Sequence, residues 1–270
     1  MAIDAASGDK AGEQYWNRVW QNTAPSSGRL SNHVNRAICD YLRKRVFTQP
    51  TRGLRLLELG CANSSMLPLF AREFGFEVAG IDRSPTGCEQ ASEVLRDASI
   101  AGDIVCGDFF EPPDRLLGAY DVVWSFGVIE HFHDTAGVVS SFVRYLRPGG
   151  WLLTMVPNMA GSVGAVLALL NRPVYDIHVI LDREAVLRAH QAAGLEVIDC
   201  EYFLSTNYGV CLALGGIEPG SFEYRLKKSI ILALVGTSVA IWSIEDFLDR
   251  RIPPNRLTSP YIVCATRLAS

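Results

Sequence analysis

From about residue 53 onward, short apolar runs alternate with longer amphipathic runs, and this alternation constrains the fold more than any other feature of the sequence. It is typical of parallel strands joined by crossover helices. Helices are expected between the strands at 64–74, 85–98 and 135–146, and Ser84 followed by Pro85 favours the start of the second. The expected strands are 55–60, 77–82, 103–108, 120–125, 150–156 and 195–199. The sequence therefore predicts an α/β fold.

Two segments lie outside this alternation. Residues 10–48 have a helical pattern, and a long segment separates the sixth strand from a final apolar run at 261–266. A connection of that length must carry structure of its own, and we expect helix there. The expected parts of one domain are an N-terminal tail and helical cap (1–52), a core (53–203), a helical insertion (204–258) and a final strand (259–270).

Composition excludes several classes of protein. The net charge of −4 provides no broad positive field, which argues against nucleic acid as a partner. Seven cysteines without a C-x-x-C pair predict a reduced, cytoplasmic protein, and the first ten residues lack the pattern of a secretory signal. The apolar stretch 229–244 is shorter than the ~20 residues that span a bilayer, so we expect a buried or capping helix without stable membrane insertion.

Acidic residues end three consecutive strands of the predicted sheet. Glu58 precedes Gly60 at the first strand, while Asp82 and Asp108 end the second and third. The carboxyl ends of parallel strands meet at one edge, where open α/β sheets bind ligands. Asp82 follows Gly60 at close to the ~20-residue spacing at which a carboxylate accepts the ribose hydroxyls of a nucleoside. The pattern predicts a nucleoside site, with Asp108 as acceptor for an adenine amine.

Five further segments occur in a characteristic order: LLELGCANS (56–64), GID (80–82), CGDFF (106–110), YDVVWSFGVIEHF (120–132) and LRPGGWLLTMVPN (146–158). Together they closely resemble the class I S-adenosylmethionine-dependent methyltransferases. The resemblance implies a Rossmann-like, seven-stranded, mostly parallel sheet with an antiparallel last strand. It also implies S-adenosyl-L-methionine as cofactor and S-adenosyl-L-homocysteine as product. The family's turn usually has further glycines where this chain has Ala62 and Ser64.

The resemblance also implies roles for individual residues. Gly60 forms the turn under the methionine end of the cofactor, and Asp108 and Phe109 flank adenine. The segment GVIEHF is similar to the ubiquinone-biosynthesis O-methyltransferases, in which an arginine on an N-terminal helix reaches the cofactor carboxylate; Arg36 has the matching position. Tyr15 and Trp16 offer ring faces to a sulfonium cation. The full predicted cofactor set is Tyr15, Trp16, Arg36, Glu58, Gly60, Cys61, Ala62, Asp82, Arg83, Asp108, Phe109, Ser125 and Phe126.

Methyl transfer to a hydroxyl requires a group that removes a proton. His131 is the candidate base because it follows the fourth strand and an ordinary histidine pKa of ~6.5 suits proton removal near neutrality. His178 is a second candidate, as base or acceptor contact. Some ubiquinone-type relatives use acids beside this histidine to hold a divalent cation. Here Phe126, Gly127 and Ile129 replace all of them except Glu130, so no metal is expected.

The predicted reaction is methyl transfer to a small, partly apolar acceptor, with O-methylation favoured. N-, S- or C-methylation of a small molecule and a non-methylating S-adenosylmethionine-binding protein stay open, and so does a homodimer. A nicotinamide-dependent oxidoreductase would need a fuller G-x-G-x-x-G turn than Gly60 provides. Amino-group methylation in nucleic acids would need an Asn/Asp-Pro-Pro-Tyr signature, but the fourth strand ends in Ser125-Phe-Gly-Val128.

Overall fold

A seven-stranded sheet in the order β3-β2-β1-β4-β5-β7-β6 forms the centre of the molecule. The computed structural model describes residues 8–23, 28–212, 214, 217, 218 and 220–270. Residues 1–7 of the expected N-terminal tail lie outside the described residues. The strands are β1 (Arg55–Leu59), β2 (Glu77–Asp82), β3 (Gly102–Cys106), β4 (Tyr120–Phe126), β5 (Leu146–Pro157), β6 (Glu196–Phe203) and β7 (Tyr261–Arg267).

Six strands run in the same direction, and β7 runs against them. β1 pairs in parallel with β2 and β4, β2 with β3, and β4 with β5. β7 enters antiparallel between β5 and β6. The predicted Rossmann-like sheet with an antiparallel last strand is therefore confirmed.

Helices cover both faces of the sheet. The crossover helices are α3 (Met66–Phe74), α4 (Pro85–Asp97), α5 (Thr135–Val143) and α8 (Arg183–Ala192). Ser84 caps α4 as expected, since its Oγ accepts from Gly87 N at 3.1 Å. Each face carries its own buried apolar cluster, around Trp124 on one side and Phe142 on the other. Burial on both faces explains why the central strands are almost continuously apolar, whereas the edge strands β3 and β6 carry exposed polar residues.

Several predicted boundaries differ from the structure, and β6 extends to Phe203 beyond the expected 195–199. The third strand ends at Cys106 rather than at 108, because the chain turns where Gly107 N donates to Asp82 O at 2.8 Å. The helix predicted at 135–146 ends at Val143, and β5 begins at Leu146, which pairs with Tyr120 before a bulge. Polar residues and glycines at 147–150 concealed this early start of the strand.

The N-terminal cap consists of α1 (Glu13–Gln21) and α2 (His33–Arg45). The side chain of Asn32 starts α2 by accepting from Val34 N and Asn35 N. α2 buries Ile38, Cys39 and Leu42 against the sheet. The described residues confirm helix on either side of an interruption within the 10–48 pattern, part of which, residues 24–27, lies outside the described residues.

The remaining helices lie after β5 and after β6. α6 (Ser162–Leu170) and α7 (Arg172–Asp176) follow β5, and α9 (Phe222–Leu248) precedes β7. The insertion is helical, as predicted; of the two alternatives expected for its apolar stretch, a buried or a capping helix, the buried helix is wrong for α9. Only Ile231, Ser238 and Glu245 are buried. These residues recur every seven positions, so a single side of α9 packs on the protein and the rest is exposed.

Candidate active site

A cavity of about 390 Å³ opens at the carboxyl ends of β1, β2 and β4. Its volume lies within the range of about 300–1,000 Å³ that is usual for small-molecule sites. Of the predicted cofactor residues, nine line it: Trp16, Glu58, Gly60, Cys61, Ala62, Asp82, Arg83, Phe109 and Phe126. Residues that sequence reasoning missed also line it: Asp9, Trp20, Asn35, Asn63, Ser65, Met66, Gly127, Val128 and Phe132.

The turn after β1 is shaped by a glycine. Gly60 has φ of 71°, and a Cβ there would lie 2.5 Å from Val128 Cγ2. Gly60 N and Cys61 N both donate to Ile81 O, at 2.9 and 3.2 Å. A side chain at position 60 would therefore strain the backbone and displace Val128 in the cavity wall. Ala62 also has a positive φ, of 35°, so the turn holds an alanine in a backbone region that favours glycine.

Glu58 closes the inner side of the turn. Its side chain is buried, and it accepts a short hydrogen bond from Ser64 Oγ. Ser64 Oγ in turn accepts from Met66 N and Leu67 N at the start of α3. Burial raises the pKa of Glu58 to about 8, partly opposed by its hydrogen bond from Ser64. Glu58 thus connects the end of β1 to the beginning of α3.

Asp82 is the buried carboxylate at the end of β2. Its Oδ2 accepts from Ala62 N at 2.9 Å and its Oδ1 from Ser84 N at 2.8 Å. Burial raises the pKa of Asp82, while these two backbone hydrogen bonds act in the opposite direction. Each carboxylate oxygen can accept a further hydrogen bond. Asp82 can therefore receive two neighbouring hydroxyls from a ligand in the cavity.

Asp108 and Arg83 meet at the side of the cavity. Arg83 donates to Asp108 Oδ2 at 3.1 Å and to Asp9 Oδ2 at 3.5 Å. Phe109 lines the cavity, whereas Asp108 does not, and its Oδ1 accepts from Phe110 N at 2.8 Å. Asp9 was missed because it belongs to a stretch without periodicity before α1. It is buried and packs beside the 3₁₀ turn at Ile129–His131, where Lys10 N donates to His131 O at 3.0 Å.

Arg36 does not line the cavity. It donates to Asp246 Oδ2 on α9 at 2.7 Å, and its other partner is His33 at 3.1 Å. The neighbouring Asn35 lines the cavity in its place. Because Arg36 lies on the helix that borders the cavity, its role toward the cofactor stays a prediction.

Aromatic side chains of α1 form one wall of the cavity. Trp16 lines it and meets His131 edge to face at 4.8 Å between ring centroids. Trp20 stacks on Trp16 at 6.1 Å. Tyr15 packs against Trp16, with 5.0 Å between the ring centroids, but does not line the cavity. Ser125 is buried near the end of β4 and does not line the cavity either. The cap helix thus brings two indole rings to the site.

His131 lies beneath Trp16 on the 3₁₀ turn after β4. Its Nδ1 lies 3.0 Å from Ile177 O, a contact in which the ring nitrogen donates, so Nε2 is the nitrogen that carries the lone pair. Burial, and then the nearby His178, lower the pKa of His131 to about 3. The ordinary histidine pKa assumed from the sequence therefore does not apply to this structure. His131 is neutral at physiological pH.

Glu130 and His178 complete a cluster around His131. Glu130 Oε1 lies 3.8 Å from His131 Nε2, and the rings of His131 and His178 are 4.7 Å apart. Burial raises the pKa of Glu130 to about 8. His178 does not line the cavity, and its Nδ1 lies 2.7 Å from Val174 O. The three residues offer one ligand atom each within 4.8 Å, so by geometry alone they could hold a metal ion.

A sequence profile described as a methyltransferase domain matches residues 30–199, more than half of the chain. The chain belongs to this methyltransferase family. Together with the Rossmann-like sheet, the match makes it a class I S-adenosylmethionine-dependent methyltransferase, as the resemblance implied. Its cofactor is S-adenosyl-L-methionine.

The curated relatives match part of this chain, and the chain spans part of the length of each of them. A ubiquinone biosynthesis O-methyltransferase from Thiobacillus denitrificans is 29% identical over 54% of this chain and 66% of that protein. A second one, from Methylocella silvestris, is 26% identical over 73% and 82%. A 2-methyl-6-phytyl-1,4-hydroquinone methyltransferase from Synechocystis sp. is 30% identical over 45% of this chain and only 38% of that protein.

Solved structures share the fold of the methyltransferase. A sarcosine dimethylglycine methyltransferase described as putative, from Galdieria sulphuraria, superposes with a TM-score of 0.60 at 15% identity, over 95% of this chain and 98% of that one. The [4+2]-cyclase SpnF superposes at 0.59 and 20% identity, over 93% and 86%. These identities show the fold alone, and the cyclase illustrates that this fold serves more than one chemistry.

Proposed function

We propose that this methyltransferase acts on a small, partly apolar acceptor and that the nucleophile is an oxygen. One observation carries the proposal: a single cavity is lined by Asp82, a carboxylate with acceptor capacity left for hydroxyls, and by His131, a neutral nitrogen base. Aromatic rings line the space between them. The three curated relatives include two O-methyltransferases and a hydroquinone methyltransferase, which supports an acceptor with a ring hydroxyl.

The residues of the cavity fit S-adenosyl-L-methionine by their chemistry. The glycine turn leaves space for close approach of a ligand, and Asp82 keeps acceptor capacity for ribose hydroxyls. Phe109 offers an apolar contact for adenine, and the indole of Trp16 offers an electron-rich face to a cation. When bound, the cofactor supplies an activated methyl group. The other roles predicted from sequence, for Tyr15, Arg36, Cys61, Ala62, Arg83, Asp108, Ser125 and Phe126, are part of the same proposal.

The chain itself contributes position and proton removal. We assign His131 Nε2 to the acceptor hydroxyl, because its lone pair is fixed by the contact of Nδ1 with Ile177 O. A base with so low a pKa takes a proton poorly alone, so Glu130, 3.8 Å away, is assigned to stabilise the protonated ring in its ionised form, which its raised pKa of about 8 makes more abundant as pH rises. His178, on the other side of His131, is assigned to the acceptor or to positioning His131.

We propose that transfer proceeds without a metal. Lys10 Nζ donates to His178 O at 2.7 Å, so an ammonium group already lies beside the cluster of Glu130, His131 and His178. A second cation there would be repelled. If this is right, dialysis against a chelator leaves turnover unchanged, whereas loss of turnover that Mn²⁺ or Zn²⁺ restores would contradict it.

Three broader properties of the protein belong to the same proposal. We propose that residues 1–270 form one domain, that the protein is cytoplasmic, and that nucleic acid is not its substrate. Methylation at nitrogen, sulfur or carbon is the alternative outcome for the acceptor. A non-methylating protein that retains the cofactor is a second alternative, favoured by the shared fold of the [4+2]-cyclase.

Calorimetry and a mass-shift screen test the proposal. S-adenosyl-L-methionine and S-adenosyl-L-homocysteine are expected to bind and to raise the melting temperature, because both stabilise the native state. NAD serves as the control and is expected not to bind. Incubation with methyl-labelled cofactor and phenolic metabolites should then yield a labelled ether. Tight cofactor binding without labelled product from any class of acceptor would favour the non-methylating alternative.

A further inference from the structure

The outer side of α9 is an exposed apolar surface. Leu226, Ile230, Leu232, Val239, Ile244 and Phe247, here called the outer face, have 41% to 87% of their surface exposed. A large apolar patch on a protein surface marks an interaction site. α9 lies outside residues 30–199 that the family profile matches, so the family does not account for this surface.

Charge divides α9 into three parts. No charged residue occurs from Ser229 to Ile244, which is about 24 Å of helix at 1.5 Å per residue. Before this stretch, Arg225, Lys227 and Lys228 outnumber Glu223, which pairs with Lys227. After it, Glu245, Asp246 and Asp249 precede Arg250 and Arg251, so that end is not basic. An apolar centre with a basic N-terminal end matches the apolar and headgroup layers of an anionic bilayer surface.

The inner side of α9 is held by the protein. Trp242 stacks on His33 at 4.5 Å and its Nε1 donates to Thr206 O at 2.9 Å. Ser238 Oγ accepts from Tyr208 N at 3.1 Å. α9 is long and apolar enough to cross a membrane, but spanning would break these contacts. A helix that stays docked by one side can only lie along a membrane surface.

Exposed apolar side chains also occur outside α9. Leu212, on the 3₁₀ turn that packs against α9, is 44% exposed, and Leu169 on α6 is 80% exposed. The exposed apolar side chains of α9 itself spread over a broad arc rather than one narrow ridge. A second protein helix would cover a ridge, whereas lipid covers a whole arc.

We propose that the outer face of α9 binds the surface of an anionic lipid bilayer, with the helix lying parallel to it. Arg36 joins α9 to α2, and Asn35 on α2 lines the active-site cavity. The docked membrane would therefore lie one helix away from the cavity. Lipid binding by α9 is independent of the proposed function; delivery of an apolar acceptor from the bilayer rests on it.

Flotation of the whole protein with vesicles tests the proposal. The protein is expected to float with vesicles of phosphatidylcholine and phosphatidylglycerol in equal parts, and more weakly with phosphatidylcholine alone. A variant combining Leu232→Gln, Val239→Gln and Phe247→Gln should lower the partition coefficient by about tenfold or more, because it removes the inserted side chains. A variant combining Arg225→Glu and Lys228→Glu should lose the preference for the anionic vesicles.

The matched control combines Leu54→Gln and Ile198→Gln, two exposed apolar residues outside α9, and should float like the parent. Retained binding of S-adenosyl-L-homocysteine verifies that each variant is folded and tests the cofactor site separately. Absence of parent flotation with both vesicle types would overturn the proposal. So would unchanged flotation of the outer-face variant. A stable dimer that does not float, detected by light scattering, would assign α9 to a second copy of the chain instead.

Discussion

The two ends of the sheet each carry a cavity, and the cavities differ in how their charges are compensated. At the amino ends, a cavity of about 290 Å³ contains Asp121, which accepts from both Arg55 N and the guanidinium of Arg147. At the carboxyl ends, Glu58 and Asp82 are buried, and their hydrogen bonds come from backbone N–H groups and a hydroxyl.

This difference distinguishes carboxylates that stabilise the fold from carboxylates that can bind a ligand. A half-exposed carboxylate satisfied by a neighbouring guanidinium has little affinity left for a ligand. A buried carboxylate bonded by backbone donors keeps acceptor positions and is costly to leave without a ligand. Ligand binding therefore belongs at the carboxyl ends. Changes there should alter binding and turnover, whereas changes at the amino ends should alter only stability.

The largest expected effect is on turnover in His131→Ala. If His131 removes the acceptor proton, turnover should fall by ~10²–10⁴-fold, the usual contribution of a general base, while cofactor affinity stays nearly intact. Steady-state kinetics and calorimetry measure the two quantities. His133→Ala is the matched control, since His133 is exposed and lies two residues away. A rise in the Michaelis constant alone would instead assign His131 to positioning the acceptor.

Asp82→Ala should weaken cofactor binding by ~1–3 kcal/mol, because ribose hydroxyls lose a charged acceptor. The structure adds a stability cost, since Ala62 N and Ser84 N also lose their acceptor. Ser84→Ala separates the two effects. It should remove the cap of α4, at about 1 kcal/mol, and leave affinity unchanged. Equal affinity losses in both variants would show that Asp82 acts only through the fold.

Stability should depend on pH through the buried groups of the carboxyl end. Glu58 and Glu130 have pKa values raised from 4.5 to about 8, so the folded protein binds more protons than the unfolded chain between these values. Their stabilising contribution is complete below 4.5 and is lost as pH rises toward 8.

Two buried histidines make the stability of the folded protein depend on pH in the opposite direction. The pKa values of His131 and His190 are lowered from 6.5 to about 3 and about 4, so their contribution is lost as pH falls below 6.5. Between pH 6.5 and 8 the two glutamates lose their contribution, and Asp82, whose pKa burial also raises, acts with the same sign, so the melting temperature of the free enzyme should fall across that interval. Glu58→Gln should reduce the slope. A melting temperature that stays constant or rises between pH 6.5 and 8 would contradict the raised pKa values of the glutamates.

The smallest effect is expected at the amino end. Arg147→Ala removes an ion pair with Asp121 at 3.1 Å whose arginine is 45% exposed, and such pairs contribute ~0–1 kcal/mol. Cofactor affinity and turnover should not change. Denaturant unfolding together with calorimetry checks both statements. A clear loss of affinity would show that the two ends of the sheet are coupled.

Short sequence patterns were sufficient to predict most of the fold. Strand ends with acids and glycine turns repeat along the chain, so the order of elements and the cavity around Gly60 and Asp82 could be predicted. Asp9, Trp20 and Asn35 were not found, because nothing local distinguishes a cap residue that folds back over a distant strand. The protonation of His131 also depends on burial, which no spacing in the sequence encodes.

The central position of β7 has a consequence for how the chain is made. The strand formed by Tyr261–Arg267 fills the gap between β5 and β6, which are both synthesised long before it. Until the residues of β7 have been synthesised, the edges of β5 and β6 lie open, and such edges invite aggregation. This half of the sheet can therefore close only after β7 has joined it. A chain that lacks β7 would leave both edges exposed and should aggregate.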